Sequence, residues 1–380
     1  MKEIENSRVA LLIPSLQTGG AELFVIRLLK QLESRIDVLL VVMKTFDSEI
    51  DISSLRNVTL HRMNLNGKNS VLGFFPRVVS FIRIILEFNP VAVQCILYPA
   101  ELLSVLLIGK FRIFWSIRGS GTPRERNIFK RLATNLNLQL SKYYPIRIIA
   151  CSSAAANWAI GNGVPSSKIR VINNFSESWV NNTVSRSNLL SMSRNIGKEG
   201  IRIGMAARFD KHKGHSVLIE ALLHLSQIKH IPITLTLIGR DTNKLLEDVS
   251  IRSKISNSGS LFNLELLGEL HGDLKSEWFS SLDLYVLASF QLEGFPNALA
   301  EAISIGCPSI STSAGNANEM LPASLIIPSS DVITIIRFIE TFLEIPPNEL
   351  KILTEFARSK ILQITDKESI SKEYLETWMI

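Results

Sequence analysis

The sequence predicts an α/β protein built from two parallel sheets in tandem. Three observations carry that expectation. Short apolar runs alternate with longer segments of helical spacing. The runs are apolar on both faces, as strands covered by helices on two sides must be. The alternation breaks off between residues 174 and 200 and then resumes. With 380 residues, 46% of them hydrophobic, the chain can fill two cores of ordinary domain size.

The first run, R-V-A-L-L-I-P-S-L, has strand length, and Q-T-G-G-A-E-L-F-V-I-R-L-L-K-Q-L then switches to helical spacing, with Thr18 as a helix N-cap. Further strands are expected at 37–43, 58–61, 91–96, 111–117 and 146–151, with helical patterns between most of them. The Ser, Asn and Gly-rich stretch that follows is the linker. Beyond it come a strand at 201–207, a helix at 216–229, a strand at 233–239, a helical stretch at 243–254, strands at 264–267 and 283–288, a helix from about 296 to 305 and a strand at 308–312. The order reads as two Rossmann-like domains. From 348 the tail is helical and ends in Y-L-E-T-W-M-I, whose aromatic and apolar residues need a surface to pack on.

Composition excludes several classes. The start, M-K-E-I-E-N-S-R, lacks a basic-then-apolar leader, so a cytosolic chain is expected. The longest apolar region, 91–109, carries Gln94, Pro99 and Glu101 and reads as a buried strand and helix rather than a membrane span. Cys95, Cys151 and Cys307 lie far apart in apolar contexts, which suits reduced core thiols, and no metal site is expected. The net charge of +6 is uneven. Residues 1–173 hold 22 Lys and Arg against 11 Asp and Glu, and the remainder holds 19 against 24. Much of the excess lies at Lys110, Arg112, Arg118, Arg124, Arg126, Lys130 and Arg131. A solvated face, an anionic membrane surface and a phosphorylated substrate all fit it. Nucleic acid does not, because no recognition motif accompanies the charge.

Ligands of open parallel sheets bind beyond the carboxyl ends of the strands, where helix N-termini offer N–H groups and positive dipole ends. Three strand exits stand out. Gly19 and Gly20, in T-G-G-A-E, would let backbone approach a ligand at a helix start. In A-A-R-F-D-K-H-K-G-H, Arg208 and Lys213 share one loop, a guanidinium fork beside an ammonium, as a diphosphate requires. In E-G-F-P-N-A-L-A-E, Glu293 precedes the helix and Glu301 lies one turn inside it, on the same face as Asn297. A carboxylate there can accept from two vicinal hydroxyls. The neighbours of Glu301 are apolar, so it should have a partner.

These motifs together resemble the retaining, nucleotide-sugar-dependent glycosyltransferases of the GT-B fold, in the large family marked by two glutamates with seven residues between them. The likeness covers most of the chain, since T-G-G-A-E, C-S-S-A-A-A…G-V-P-S-S-K-I-R-V-I-N-N-F and G-C-P-S-I-S-T-S-A-G-N-A-N-E-M-L match further family segments. It implies two tandem Rossmann-like domains with a cleft between them and a C-terminal helix crossing back to the first. The boundaries become 1–175 for the acceptor-binding domain, 176–200 for the linker, 201–360 for the donor-binding domain and 361–380 for the returning helix.

The resemblance also implies roles. Arg208 and Lys213 would neutralise the donor's diphosphate in place of a metal ion, Glu301 would hold the ribose hydroxyls and Glu293 those of the transferred sugar. Backbone at Gly19, Gly20, Gly294, Phe295 and Asn297 would approach the donor. No cofactor and no metal are expected, only the nucleotide-sugar donor and a saccharide or lipid-linked acceptor of bacterial surface-polysaccharide type. A peripheral contact with the inner face of the membrane is expected through the basic first half. Three departures from the family pattern stand out. Pro296 replaces a frequent glycine and deletes one N–H. Asn173-Asn174 replaces Asn-Gly, and Asn tolerates the positive φ of that turn. Arg118 stands where many relatives have a histidine, so it is the acceptor-side candidate, with a contact to the donor sugar also open. A nucleotide-sugar 2-epimerase and a catalytically silent nucleotide-sugar-binding partner are the alternatives.

Overall fold

The computed structural model describes residues 7–16, 20–33, 35–44, 55–65, 70–119, 128–175, 200–256, 259–290 and 293–380. Gly19, the cap expected at Thr18, almost all of the linker and the cations Arg124 and Arg126 lie outside them. So do the side chains of Lys130 and Arg131. The chain divides into two units, residues 1–175 with 365–380, and residues 176–364.

In the first unit the described strands are β1 (Arg8–Ile13), β2 (Asp37–Val42), β3 (Val58–Arg62), β4 (Ala92–Ile96), β5 (Arg112–Ile117), β6 (Ile146–Ala150) and β7 (Ile169–Val171). They form one parallel sheet in the order β3-β2-β1-β4-β5-β6-β7. The inner strands are buried along nearly their whole length. Alternate residues feed two cores, one on each face. Val9, Leu11 and Ile13 join Phe24, Leu28 and Trp378 on one face, while Ala10 and Leu12 join Phe81, Ile85 and Trp115 on the other.

Helix Lys367–Met379 belongs to this unit and explains the aromatic tail. Trp378 is fully buried, and its indole N–H donates to Gln94 Oε1 at 3.2 Å. Tyr374 packs on Phe24 and Trp378. Arg112 closes the end by donating to the carbonyl of Met379 at 2.6 Å. The sequence reading began the returning segment at 361. The chain instead stays with the second unit through helix Pro347–Ile364, and Asp366 starts a new helix by accepting from the N–H of Ser369.

The second unit has β8 (Ile201–Ala206), β9 (Ile233–Ile238), β10 (Phe262–Gly268), β11 (Leu284–Leu287), β12 (Ser309–Thr312) and β13 (Ile326–Ile327), parallel in the order β10-β9-β8-β11-β12-β13. Strand order reverses direction between β8 and β11. The loops leaving those two strands therefore diverge and open a crevice at their carboxyl ends. The expected helix at 243–254 is a 3₁₀ segment, Thr242–Glu247, followed by helix Val249–Ser256. Asp248 separates them because its carboxylate caps the second, accepting from the N–H of Ser250 at 2.9 Å. The short edge strands β7 and β13 were not read from the sequence.

Candidate active site

The loop after β8 is shaped by its own residues. Phe209 donates its N–H to the carbonyl of Arg240 at 2.9 Å, holding the loop to the exit of β9. Asp210 Oδ1 accepts from the N–H of His212 at 3.0 Å and starts the 3₁₀ turn Lys211–Lys213. Gly214 ends that turn at φ 80°, and a Cβ on it would lie 2.1 Å from the carbonyl oxygen of Ala288. Only glycine fits there. The fit presses the loop on the end of β11, where the N–H of Phe290 donates to the carbonyl of His212 at 2.9 Å. Helix His215–Lys229 starts directly behind and aims its N-terminus into the loop.

The two exits meet in one ion pair, in which the Lys213 ammonium donates to Glu293 Oε1. Lys213 is 29% exposed and Glu293 12%. Ser289 donates its hydroxyl to the same carboxylate oxygen at 2.8 Å. Behind them Gly315, at φ 61°, packs so closely that a Cβ would lie 2.6 Å from the carbonyl oxygen of Gly294. Arg208 is loosely tied by comparison, 64% exposed and 3.6 Å from Asp210. An exposed pair of that length holds a guanidinium weakly and leaves it able to turn to a stronger anion. His215 is buried behind the loop, and burial lowers its pKa to about 4, so its ring stays neutral and adds no charge.

Helix Asn297–Ile305 begins one residue later than the sequence reading placed it. Pro296 occupies the N-cap position with ψ 85°, outside the helical range, and its missing N–H leaves no donor unsatisfied at the helix start. The helix is buried from Leu299 to Ile305. Gly294, Phe295 and Pro296 are buried ahead of it and Asn297 is half-buried. Phe295 is thus a core side chain, which leaves only its backbone for the donor contact expected of it. Glu301 is 2% exposed. Its carboxylate has the partner that burial demands, Lys275 of helix Gly272–Ser280, at 2.5 Å. Sequence reasoning missed Lys275. The signal was its place three and four residues before Trp278 and Phe279, which puts a lysine on a core-facing stripe.

In the first unit Gly20 opens helix Gly20–Leu32 and is exposed. Arg118 follows β5. Its Nη1 donates to Asn174 Oδ1 at 2.5 Å, and its guanidinium carbon stands 3.5 Å from the centroid of the Phe24 ring. Neither Asn173 nor Asn174 has a positive φ, so the turn expected there does not form. Asn174 is used through its side chain, as the acceptor that fixes Arg118. Beside Arg118 is a pocket of about 170 Å³ lined by Tyr98, Glu101, Ser116, Asn137 and Trp158. Burial raises the Glu101 carboxyl to about 8 while Asn137 donates to it. Among the described residues no group of three or more His, Cys, Asp or Glu could hold a metal ion, and no helix is long and apolar enough to cross a membrane.

Comparison with known proteins fits this geometry. Residues 18–176 match the family model described as Glycosyltransferase Family 4, and residues 200–344 match the one described as Glycosyl transferases group 1. Protein CapJ of Staphylococcus aureus is 26% identical over 141 residues, 37% of this chain, and the match spans about a third (34%) of the length of that protein. Among solved structures, HepE of Anabaena in complex with UDP and glucose superposes with a TM-score of 0.78 at 19% identity, covering 98% of this chain and 99% of that one. The lipopolysaccharide outer core galactosyltransferase WaaB, apo form, superposes at 0.69 with 16% identity, covering 98% of this chain and all (100%) of that one. Two parallel sheets matched in order by the two family models, with neighbours along the whole length, assign the chain to the group 1 glycosyltransferases of the GT-B fold.

Proposed function

We propose that this chain is a retaining, metal-independent glycosyltransferase that moves a sugar from a nucleoside diphosphate donor to a growing bacterial surface polysaccharide or lipid-linked oligosaccharide. One observation carries the reading. Arg208 and Lys213 leave β8, Glu293 leaves β11, and the Lys213–Glu293 pair joins the two exits at the point where the strand order reverses. Cations there suit a diphosphate, and a carboxylate held beside them suits the hydroxyls of the sugar attached to it. HepE was solved with UDP-glucose, which supports a donor of this class. WaaB, a lipopolysaccharide outer core galactosyltransferase, supports an acceptor of surface-polysaccharide type.

In the proposed reaction the bond between the anomeric carbon and the phosphate oxygen breaks, and the acceptor oxygen bonds to the same face of that carbon. The acceptor's hydroxyl proton passes to the departing phosphate oxygen, and the nucleoside diphosphate leaves. Arg208 and Lys213 stabilise the charge gathering on the diphosphate, so that no protein base is needed. The protein works in the cytoplasm and touches the anionic inner face of the membrane. The charge excess of the first half supports that contact, as do Phe75 and Val79, which are 74% and 63% exposed on helix Ser70–Phe88.

The test is a screen of nucleoside diphosphate sugars for thermal stabilisation, followed by transfer assays with the best donor and assignment of the product's anomeric configuration. Transfer with the donor's configuration kept is expected. An inverted product overturns the retaining assignment, and donor conversion without acceptor favours an epimerase.

A further inference from the structure

Resting on that reading of Glu301 as the ribose contact, we propose that Lys275 is a positioning residue: it holds the Glu301 carboxylate ionised and oriented to receive the two vicinal hydroxyls of a nucleoside's ribose. Glu301 is 2% exposed in a helix whose neighbouring residues Leu299, Ala300, Ala302 and Ile303 are buried. A carboxylate in such surroundings loses its charge unless a cation stays with it. Lys275 supplies that cation from a separate helix, Gly272–Ser280, with Nζ 2.5 Å from Oε2.

The lysine is itself only 20% exposed, and its ammonium lies 5.9 Å from the Phe279 ring centroid. Ring and carboxylate both attract the ammonium and hold it in place. A surface lysine would gain little by giving up its water. One ammonium bonded at one carboxylate oxygen fixes the plane of the group, yet an ionised carboxylate offers about four acceptor positions. It can therefore keep Lys275 and still accept from hydroxyls. An uncharged Glu301 would offer a donor where the diol needs acceptors, so a lost cation would weaken recognition of the ribose more than that of the diphosphate.

The test uses the full chain and three pairs of probes, UDP, ADP and GDP, each with its 2′-deoxy counterpart, titrated calorimetrically. For the base that binds, the unsubstituted protein should prefer the ribonucleotide by tenfold or more. Lys275→Met should bring that preference close to one, and Lys275→Arg should restore most of it. If Lys275→Met is too unstable to titrate, Lys275→Gln, which keeps a hydrogen-bond donor without the charge, takes its place with the same expected loss. A variant that melts at lower temperature but keeps the full preference gives Lys275 a structural role only and overturns the proposal. Tighter binding by Lys275→Met also overturns it, since the ammonium would then compete with the ligand. Glu301→Gln separates the two layers of the argument. If it leaves the preference intact, Glu301 is not the ribose contact. If it abolishes the preference while Lys275→Met does not, Glu301 stands and the role of Lys275 falls. No binding of any pair to the unsubstituted protein overturns both.

Discussion

Replacing Lys213 by alanine removes one of the three cations Arg208, Lys211 and Lys213 from the loop after β8 and leaves Glu293 with Ser289 as its hydroxyl donor. Two costs follow, of different size. The pair is neither a surface pair nor fully buried, at 29% and 12% exposed, so its loss should cost between the two limits, about 1–2 kcal/mol of stability. For a unit of this size that lowers the melting temperature by roughly 2–4 °C per kcal/mol and leaves the protein folded at 25 °C. The catalytic cost is larger. Removing one donor aimed at charge that develops in the transition state lowers kcat by about 10²–10³, equivalent to ~3–4 kcal/mol. The assay is turnover at saturating donor beside a thermal melt, with Lys213→Arg as the variant that keeps the charge. A fall of at least about a hundredfold in kcat, with the melt shifted by only a few degrees, is expected. Turnover within about threefold of the unsubstituted enzyme would refute the assignment of Lys213 to the leaving diphosphate.

Arg208→Ala should lower kcat as strongly but barely move the melt, because its 3.6 Å pair with Asp210 is exposed; a large loss of stability would contradict that. Gly214→Ala forces a side chain into positive φ and onto the Ala288 carbonyl, so activity and melting temperature should fall together, and an unchanged melt would show that the two loops are not pressed together as described. Trp378→Ala should destabilise the first unit by about 3–5 kcal/mol in denaturant unfolding, and a loss below about 1 kcal/mol would mean that the tail is not a core element. His215, neutral when folded down to about pH 4 but protonated in the unfolded chain below about 6.5, contributes stability that is complete above pH 6.5 and lost as pH falls toward 4; His215→Phe should flatten that slope. Glu101, protonated when folded up to about pH 8 but ionised in the unfolded chain above about 4.5, gives the opposite slope, with stability lost as pH rises from 4.5 to 8 and Glu101→Gln removing the dependence.

What the sequence disclosed depends on how local the cause was. Strands buried on both faces announce themselves as apolar runs, as the inner strands β1, β2, β4 and β11 do. The edge strands Ile169–Val171 and Ile326–Ile327 are too short to leave a pattern. The positions of Arg208, Lys213, Glu293 and Glu301 at two strand exits and a helix start are legible because those are local signals. Their partners are not. Nothing in the spacing of Lys213 and Glu293 joins two residues 80 positions apart, and Lys275 reaches Glu301 only because two helices pack. Gly214 and Gly315 carry no distinguishing signal in the sequence, because the close approach that requires them is to Ala288 and Gly294, distant in the chain. Asn174 was read for its backbone and acts through its side chain, because the arginine it binds lies 56 residues earlier.

The central claim is that the exits of β8 and β11 hold the donor's diphosphate and its sugars. A crystal structure of the protein with its best nucleoside diphosphate sugar tests that most directly. The account predicts phosphate oxygens within hydrogen-bond reach of Arg208 and Lys213, the ribose hydroxyls on Glu301 and the sugar hydroxyls on Glu293. A donor bound with its diphosphate away from Arg208 and Lys213, or with Glu293 still closed on Lys213 and touching no sugar, would contradict it.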